Sequence, residues 1–144
     1  MDAKTEGLLD PEKEPDISIL CVEDDATTRE FLCTILSLKF PSHKVHAAEN
    51  GLAGLELFRK TRAEVVLTDI SMPVMDGIRM AREIRLLNPE AFIFALSAHS
   101  RPDCPQSDLE LLFTRYLLKP INSKLLCDAI GECLDQVRRD RIGG

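Results

Sequence analysis

Apolar and polar positions fall into two alternating kinds of block along the chain. Ile17-Ser18-Ile19-Leu20-Cys21-Val22, Val65-Val66-Leu67, Ala91-Phe92-Ile93-Phe94-Ala95-Leu96 and Tyr116-Leu117-Leu118 are near-continuous apolar runs, the pattern of strands covered on both faces. His43 to Ala48 reads as a further short strand. Between the runs, apolar residues recur at helical spacing. Phe31, Leu32, Ile35, Leu36 and Leu38 form one such set, ended by Pro41; Leu52, Leu55, Leu57 and Phe58 form a second. Ile78, Met80, Ala81, Ile84 and Leu87 precede Asn88-Pro89, and Leu109, Leu111, Leu112 and Phe113 make a short fourth set. Leu125, Leu126, Ala129, Ile130, Cys133, Leu134 and Val137 make the fifth.

Helix-start residues stand before each set: Asp25 to Thr28, Asn50-Gly51, Asp76, Ser107 or Asp108, and Asn122 or Ser123. Asn50-Gly51 is also a hairpin signal, but the helical pattern that follows is against a hairpin. Arg79, Arg82, Glu83 and Arg85 are expected on the wet side of the third helix. Five strand–helix pairs with right-handed crossovers predict an α/β fold, a doubly wound parallel sheet.

Composition bounds this picture. A chain of 144 residues buries one core and is too short for a second domain of ordinary size, so no output domain is expected. Residues 1–16, with Pro11, Pro15 and many charges, read as a flexible acidic tail; 17–137 is the domain, and 138–144 reads as a C-terminal tail or linker remnant. A hydrophobic share of 44% with only 5% aromatic residues and no Trp predicts an aliphatic core. The net charge of −6 argues against direct nucleic-acid binding. No apolar run is long enough to span a bilayer and no basic leader precedes one, so no membrane association and a cytoplasmic location are expected. The cysteines are odd in number, five, without a Cys-x-x-Cys pair, so neither a zinc site nor a disulfide framework is expected. Cys21 and Cys33 read as small core residues, and Cys104 as exposed.

The chemistry lies at the strand ends. The Val65 run delivers Asp69 and then breaks into Ser71-Met72-Pro73-Val74-Met75-Asp76-Gly77. Alone, Asp69 is as well explained as a turn residue. The first run, however, closes on Glu23-Asp24-Asp25, the fourth on Ser97-Ala98-His99-Ser100, and the last on Lys119-Pro120. In one parallel sheet these ends share a rim. Crowded carboxylates need a proton or a cation. Mg2+, a hard ion that uses one or two carboxylates and keeps waters, suits Asp24 and Asp69, with Glu23 reaching it through water. Beside such a cation and a lysine, Asp69 can act as a nucleophile toward phosphorus and form an aspartyl phosphate.

These residues, in type and in order, resemble the receiver domain of two-component response regulators: Val22-Glu23-Asp24-Asp25, Leu67-Thr68-Asp69 through Asp76-Gly77, Leu96-Ser97-Ala98 and Tyr116-Leu117-Leu118-Lys119-Pro120-Ile121. The resemblance covers roughly Ile17 to Val137. It implies a five-stranded flavodoxin-like (βα)5 fold with strand order 2-1-3-4-5. It implies that Asp69 accepts phosphate from a histidine kinase or histidine phosphotransfer protein. Mg2+ (or Mn2+) would be held by Glu23, Asp24, Asp69 and the backbone carbonyl of Ser71. Ser97 would hydrogen-bond the phosphoryl group, Lys119 would pair with it, and Tyr116 would swing inward when Ser97 moves. The face built from the fourth helix, fifth strand and fifth helix would then bind a partner or a second copy, giving a homodimer. The Lys119-Pro120 bond is expected to be cis on the same ground.

Spacing alone does not select two acids from Glu23, Asp24 and Asp25; the family register chooses Glu23 and Asp24 and leaves Asp25 at the first helix start. Asp76 reads as a helix cap, and His43 and His46 as structural or surface residues. Ser71 and His99 flank the approach of hydrolytic water and are candidates for setting phosphate lifetime. Two other classes compete with a phosphoacceptor switch. A hydrolase with an Asp69 nucleophile would need a second acid two residues later, where Ser71 stands. A degenerate receiver would lack the acceptor, the acid pair or the lysine, and all are present.

Overall fold

A computed structural model of the chain describes residues 17–98 and 105–143. The tail at 1–16, His99 and Cys104 lie outside the described residues. The described chain runs β1 (Ser18–Val22), α1 (Ala26–Lys39), β2 (Lys44–Ala48), α2 (Gly51–Thr61), β3 (Val65–Asp69), α3 (Gly77–Leu87), β4 (Phe92–Ser97), α4 (Gln106–Leu112), β5 (Arg115–Leu118) and α5 (Ser123–Gly143). The five strands pair in parallel in the order β2-β1-β3-β4-β5, the expected 2-1-3-4-5 arrangement.

Strand alternation sorts the core into two layers. Leu20, Val22, Val66, Ile93 and Ala95 face one way, against Leu55, Phe58, Met80, Ala81 and Ile84 of α2 and α3 and Leu109 and Leu112 of α4. Ile19, Cys21, Val65, Leu67, Phe94 and Leu96 face the other, against Leu32 and Leu36 of α1 and Leu126, Ile130 and Leu134 of α5. Double burial of β3 and β4 is why their sequences read as unbroken apolar runs.

Side chains cap three helices where the sequence predicts. Asp25, Asn50 and Asp76 accept from the N–H groups of Thr28, Ala53 and Arg79, each at 2.8 Å. Asn122 accepts from Leu125 N–H at 3.0 Å as α5 begins. The fourth helix differs: it starts at Gln106 after Pro105, and neither Ser107 nor Asp108 supplies a cap. Phe31 and Leu38 also leave the core, at 54% and 78% exposure, because α1 turns Leu32 and Leu36, with Cys33 partly buried beside them, toward the sheet.

One further expectation is corrected. Arg85 is half-buried rather than on the wet side, donating to the carbonyls of Leu112 at 3.1 Å and Pro89 at 2.9 Å, and to that of Ala91. An arginine can bury its stem while its fork satisfies loop carbonyls, which a charge-based reading overlooks. Residues 138–143, expected as a C-terminal tail or linker remnant, continue α5 as a helix. Their apolar period lapses, so the sequence looks unstructured. Long side chains hold the helix instead: Arg138 binds Asp135 at 2.6 Å and His43 Nε2 at 2.9 Å, and Arg141 pairs with Glu64.

Val74, between β3 and α3, is held at φ 70° although it is β-branched and 70% exposed. That left-handed conformation is unfavourable for Val and free for Gly. Val74→Gly is therefore expected to stabilise the fold by roughly 0.5–1 kcal/mol net of the entropy glycine loses on folding. A urea midpoint that falls in this variant would contradict the assignment of strain.

Candidate functional site

The pairing register brings the strand ends together. Val22 pairs with Thr68 and Asp69 with Leu96, so Glu23 and Asp24 lie just past β1 beside Asp69 at the end of β3, with Ser97 closing β4. One carboxylate oxygen each from Glu23, Asp24 and Asp69 lie within 4.8 Å of one another. Three hard oxygen donors so close, on elements fixed by the sheet, suit a hard divalent cation.

Lys119 follows β5 and reaches across the rim. Its Nζ lies 3.0 Å from Glu23 Oε1 and 3.1 Å from Asp69 Oδ2. Its backbone N–H donates to the Ser97 carbonyl at 2.8 Å, and the Lys119-Pro120 bond is cis. The ammonium thus joins two acids that would otherwise repel.

Burial and charge act differently on the three groups. Glu23 is 1% exposed, and burial, the strongest influence, raises its carboxyl above the ordinary value against the opposing pull of the Asp25 N–H and Lys119. For Lys119, burial works against the charge, yet the bonds to Glu23 and Asp69 outweigh it and raise its pKa. Asp25 is lowered by the hydroxyl and N–H of Thr28.

A carboxyl raised by folding favours the native state most when protonated, so the Glu23 contribution is greatest below the ordinary 4.5 and is lost as pH rises through the folded value. Lys119 follows the same sign at a higher pH: its contribution holds below the ordinary 10.5 and is lost only above it. Without metal, stability of the wild type is expected to decline more steeply than that of Glu23→Gln as pH rises from 4.5 toward neutrality. Urea midpoints across that window check this, and parallel slopes would overturn it.

Other expected residues sit nearby with different exposure. Ser97 is 3% exposed, while Asp24 and Ser71 are exposed at the mouth. Tyr116 pairs with Ala95, two residues before the level of Ser97, and is half-buried against the core layer formed with α2, α3 and α4. Asp25 and Asp76 are caps, as expected. His43 is buried against Arg138, away from the acids.

Three further residues hold the site together; Thr68 and Arg29 were not singled out by sequence, and Gly77 was read only as turn punctuation. Thr68 donates its hydroxyl to the Asp69 carbonyl at 2.8 Å. Gly77 packs so closely that a Cβ would stand 2.2 Å from that same carbonyl oxygen, and its N–H binds the Ile70 carbonyl at 2.9 Å. Arg29 of α1 donates to the Glu23 carbonyl at 2.8 Å. A glycine one residue after an acid cap was the only readable signal among them.

Comparison with known proteins gives a consistent result. The profile of the response regulator receiver domain matches residues 19–131. The transcriptional regulatory protein ZraR of Klebsiella oxytoca is 35% identical over 124 residues, 85% of this chain and 27% of that protein. A cyclic di-GMP phosphodiesterase of Thermotoga maritima is 32% identical over 110 residues, 76% of this chain and 29% of that protein. The chain therefore spans little more than a quarter of these curated relatives. Among solved structures, the N-terminal domain of protein WS1339 from Wolinella succinogenes superposes with a TM-score of 0.77 at 31% identity, covering 87% of this chain and 98% of that one. A response regulator receiver domain protein from Clostridium thermocellum superposes at 0.75 with 25% identity, covering 83% and 95%.

Proposed function

The chain belongs to the response regulator receiver domain family, and from that premise we propose that it is a phosphate-accepting signalling switch in which Asp69 is the acceptor. The observation that carries this reading is the single ammonium of Lys119 bridging Glu23 and Asp69 while Asp24 stands within 4.8 Å of both.

Asp69 attacks the phosphorus of a phosphohistidine on a histidine kinase or phosphotransfer protein. The O–P bond forms as the P–N bond breaks, and the leaving imidazole takes up a proton. Glu23, Asp24, Asp69 and the Ser71 carbonyl would hold Mg2+ or Mn2+, which when bound neutralises charge on the transferring phosphoryl oxygens. Lys119 exchanges its contact with the Asp69 carboxylate for one with the new dianion, and the Ser97 hydroxyl donates to it. Because Ser97 is buried beside Lys119, its movement opens space toward Tyr116. The face of α4, β5 and α5 then changes its affinity for a partner or a second copy by the ~1–3 kcal/mol typical of such coupling. No helix among the described residues is long and apolar enough to cross a membrane.

Incubation with acetyl phosphate tests the reading. With Mg2+, intact mass should show one added phosphate that hydroxylamine removes; with a chelator, none should form. Continuous release of inorganic phosphate without accumulation would instead support a hydrolase, and no reaction at all would support a contact-only domain.

A further inference from the structure

Asp24 is exposed and makes no hydrogen bond or ion pair among the described residues, so the position of its carboxylate follows from the backbone that carries it. That backbone is the three-residue turn from β1 to α1, and its groups are held one by one. Glu23 N–H donates to the Ala48 carbonyl at 3.0 Å, and Asp25 N–H to Glu23 Oε2 at 3.1 Å. Asp25 is fixed in turn by Thr28, through N–H at 2.8 Å and hydroxyl at 2.7 Å, and its carbonyl accepts from Arg29 N–H at 2.9 Å. The carbonyl of Glu23, which defines the plane of the Glu23–Asp24 peptide, accepts from Arg29 Nη1 at 2.8 Å.

We propose that Arg29 is a positioning residue: by pinning the Glu23 carbonyl it fixes the Glu23–Asp24 peptide and aims the Asp24 carboxylate at the cation position, a role that rests on the receiver reading above. Arg29 is half-buried and returns from the first turns of α1 to the turn that launched them, so its backbone and its guanidinium clamp the same junction from two sides. A fixed fork of donors on a rigid helix suits this task, and groups that orient metal-holding side chains commonly govern affinity without touching the ion.

The proposal is separable from a plain charge effect because the two have opposite signs. A guanidinium near three carboxylates, acting only through its charge, repels a cation, so its removal would tighten metal binding. As a positioning group, its removal loosens Asp24 and weakens metal binding. The experiment is Mn2+ binding to the full chain, followed by the electron paramagnetic resonance of free Mn2+, for wild type, Arg29→Met, Arg29→Gln and Arg29→Lys, with urea midpoints to establish that each is folded. Arg29→Met should bind roughly tenfold more weakly, Arg29→Gln should also weaken, and Arg29→Lys, which keeps a charge and a donor, should recover most of the loss. Unchanged or tighter binding in the folded Met or Gln variant, or no recovery in the Lys variant, overturns the proposal. Absence of Mn2+ binding in the wild type would instead count against the receiver reading itself.

Discussion

Asp69→Asn is expected to abolish phosphate incorporation from acetyl phosphate while leaving the protein folded. The amide preserves the shape of the side chain but removes the anionic oxygen that attacks phosphorus. Stability should change little, because two effects oppose. Lys119 loses a charged hydrogen bond at 3.1 Å, worth roughly 1.5–3 kcal/mol. The remaining acids lose the repulsion of a third carboxylate within 4.8 Å, about 3.5 kcal/mol for such a pair at an effective dielectric of about 20. Lys119 keeps Glu23 as a partner throughout, at 3.0 Å. Intact mass read beside a urea midpoint separates loss of the acceptor from loss of the fold. A phosphate that still adds to the variant would move the acceptor elsewhere.

Gly77→Ala should destabilise the fold and disturb the site together. Its Cβ would stand 2.2 Å from the Asp69 carbonyl oxygen and 3.1 Å from Thr68 Oγ1. The obstacle is backbone at the end of a buried strand, not a flexible side chain, so either β3 or the start of α3 must shift. A cost of about 2–3 kcal/mol is expected, with phosphate incorporation slowed as well because Asp69 carries the displaced carbonyl. Gly131→Ala is the matched control. Its added methyl would come no closer than 4.0 Å, to Phe40 Cε1, and it lies within α5, where alanine is favoured over glycine by up to about 1 kcal/mol. One substitution type should thus move the urea midpoint in opposite directions at the two positions. A midpoint for Gly77→Ala equal to wild type would show that the junction relaxes freely.

How far the chain reveals itself follows from the range of the forces involved. β3 and β4 announce themselves because both faces are covered, and Asp25, Asn50 and Asp76 announce helix starts because a cap acts within three residues of itself. The acids at the strand ends were legible for the same local reason, as abrupt polar stops after apolar runs. What stayed hidden depends on distance in sequence. Lys119 was legible as a lysine at the rim beside Asp69, but its direct bridge to Glu23, 96 positions away, was not. Arg85 draws its partners from α4 and the loop before β4, and α5 keeps its last turns through Arg138 and Arg141 reaching His43 and Glu64. Arg85, Arg138 and Arg141 are long cationic side chains whose positions in the sequence suggest only solvent. Thr68 was missed for another reason: a hydroxyl bonding the next carbonyl leaves no periodic trace.

Among the described residues, β5 forms one margin of the sheet, with β4 on one side and no strand on the other. Such a strand is ordinarily the first to fray, and its amide protons the first to exchange with solvent. Here the residue after it is fastened twice: the Lys119 amide to Ser97 on β4, and the Lys119 ammonium to the ends of β1 and β3. Fraying of this margin therefore requires breaking contacts at the acidic rim, so the exchange rate of β5 amides becomes a gauge of the charge held there, readable without any partner present.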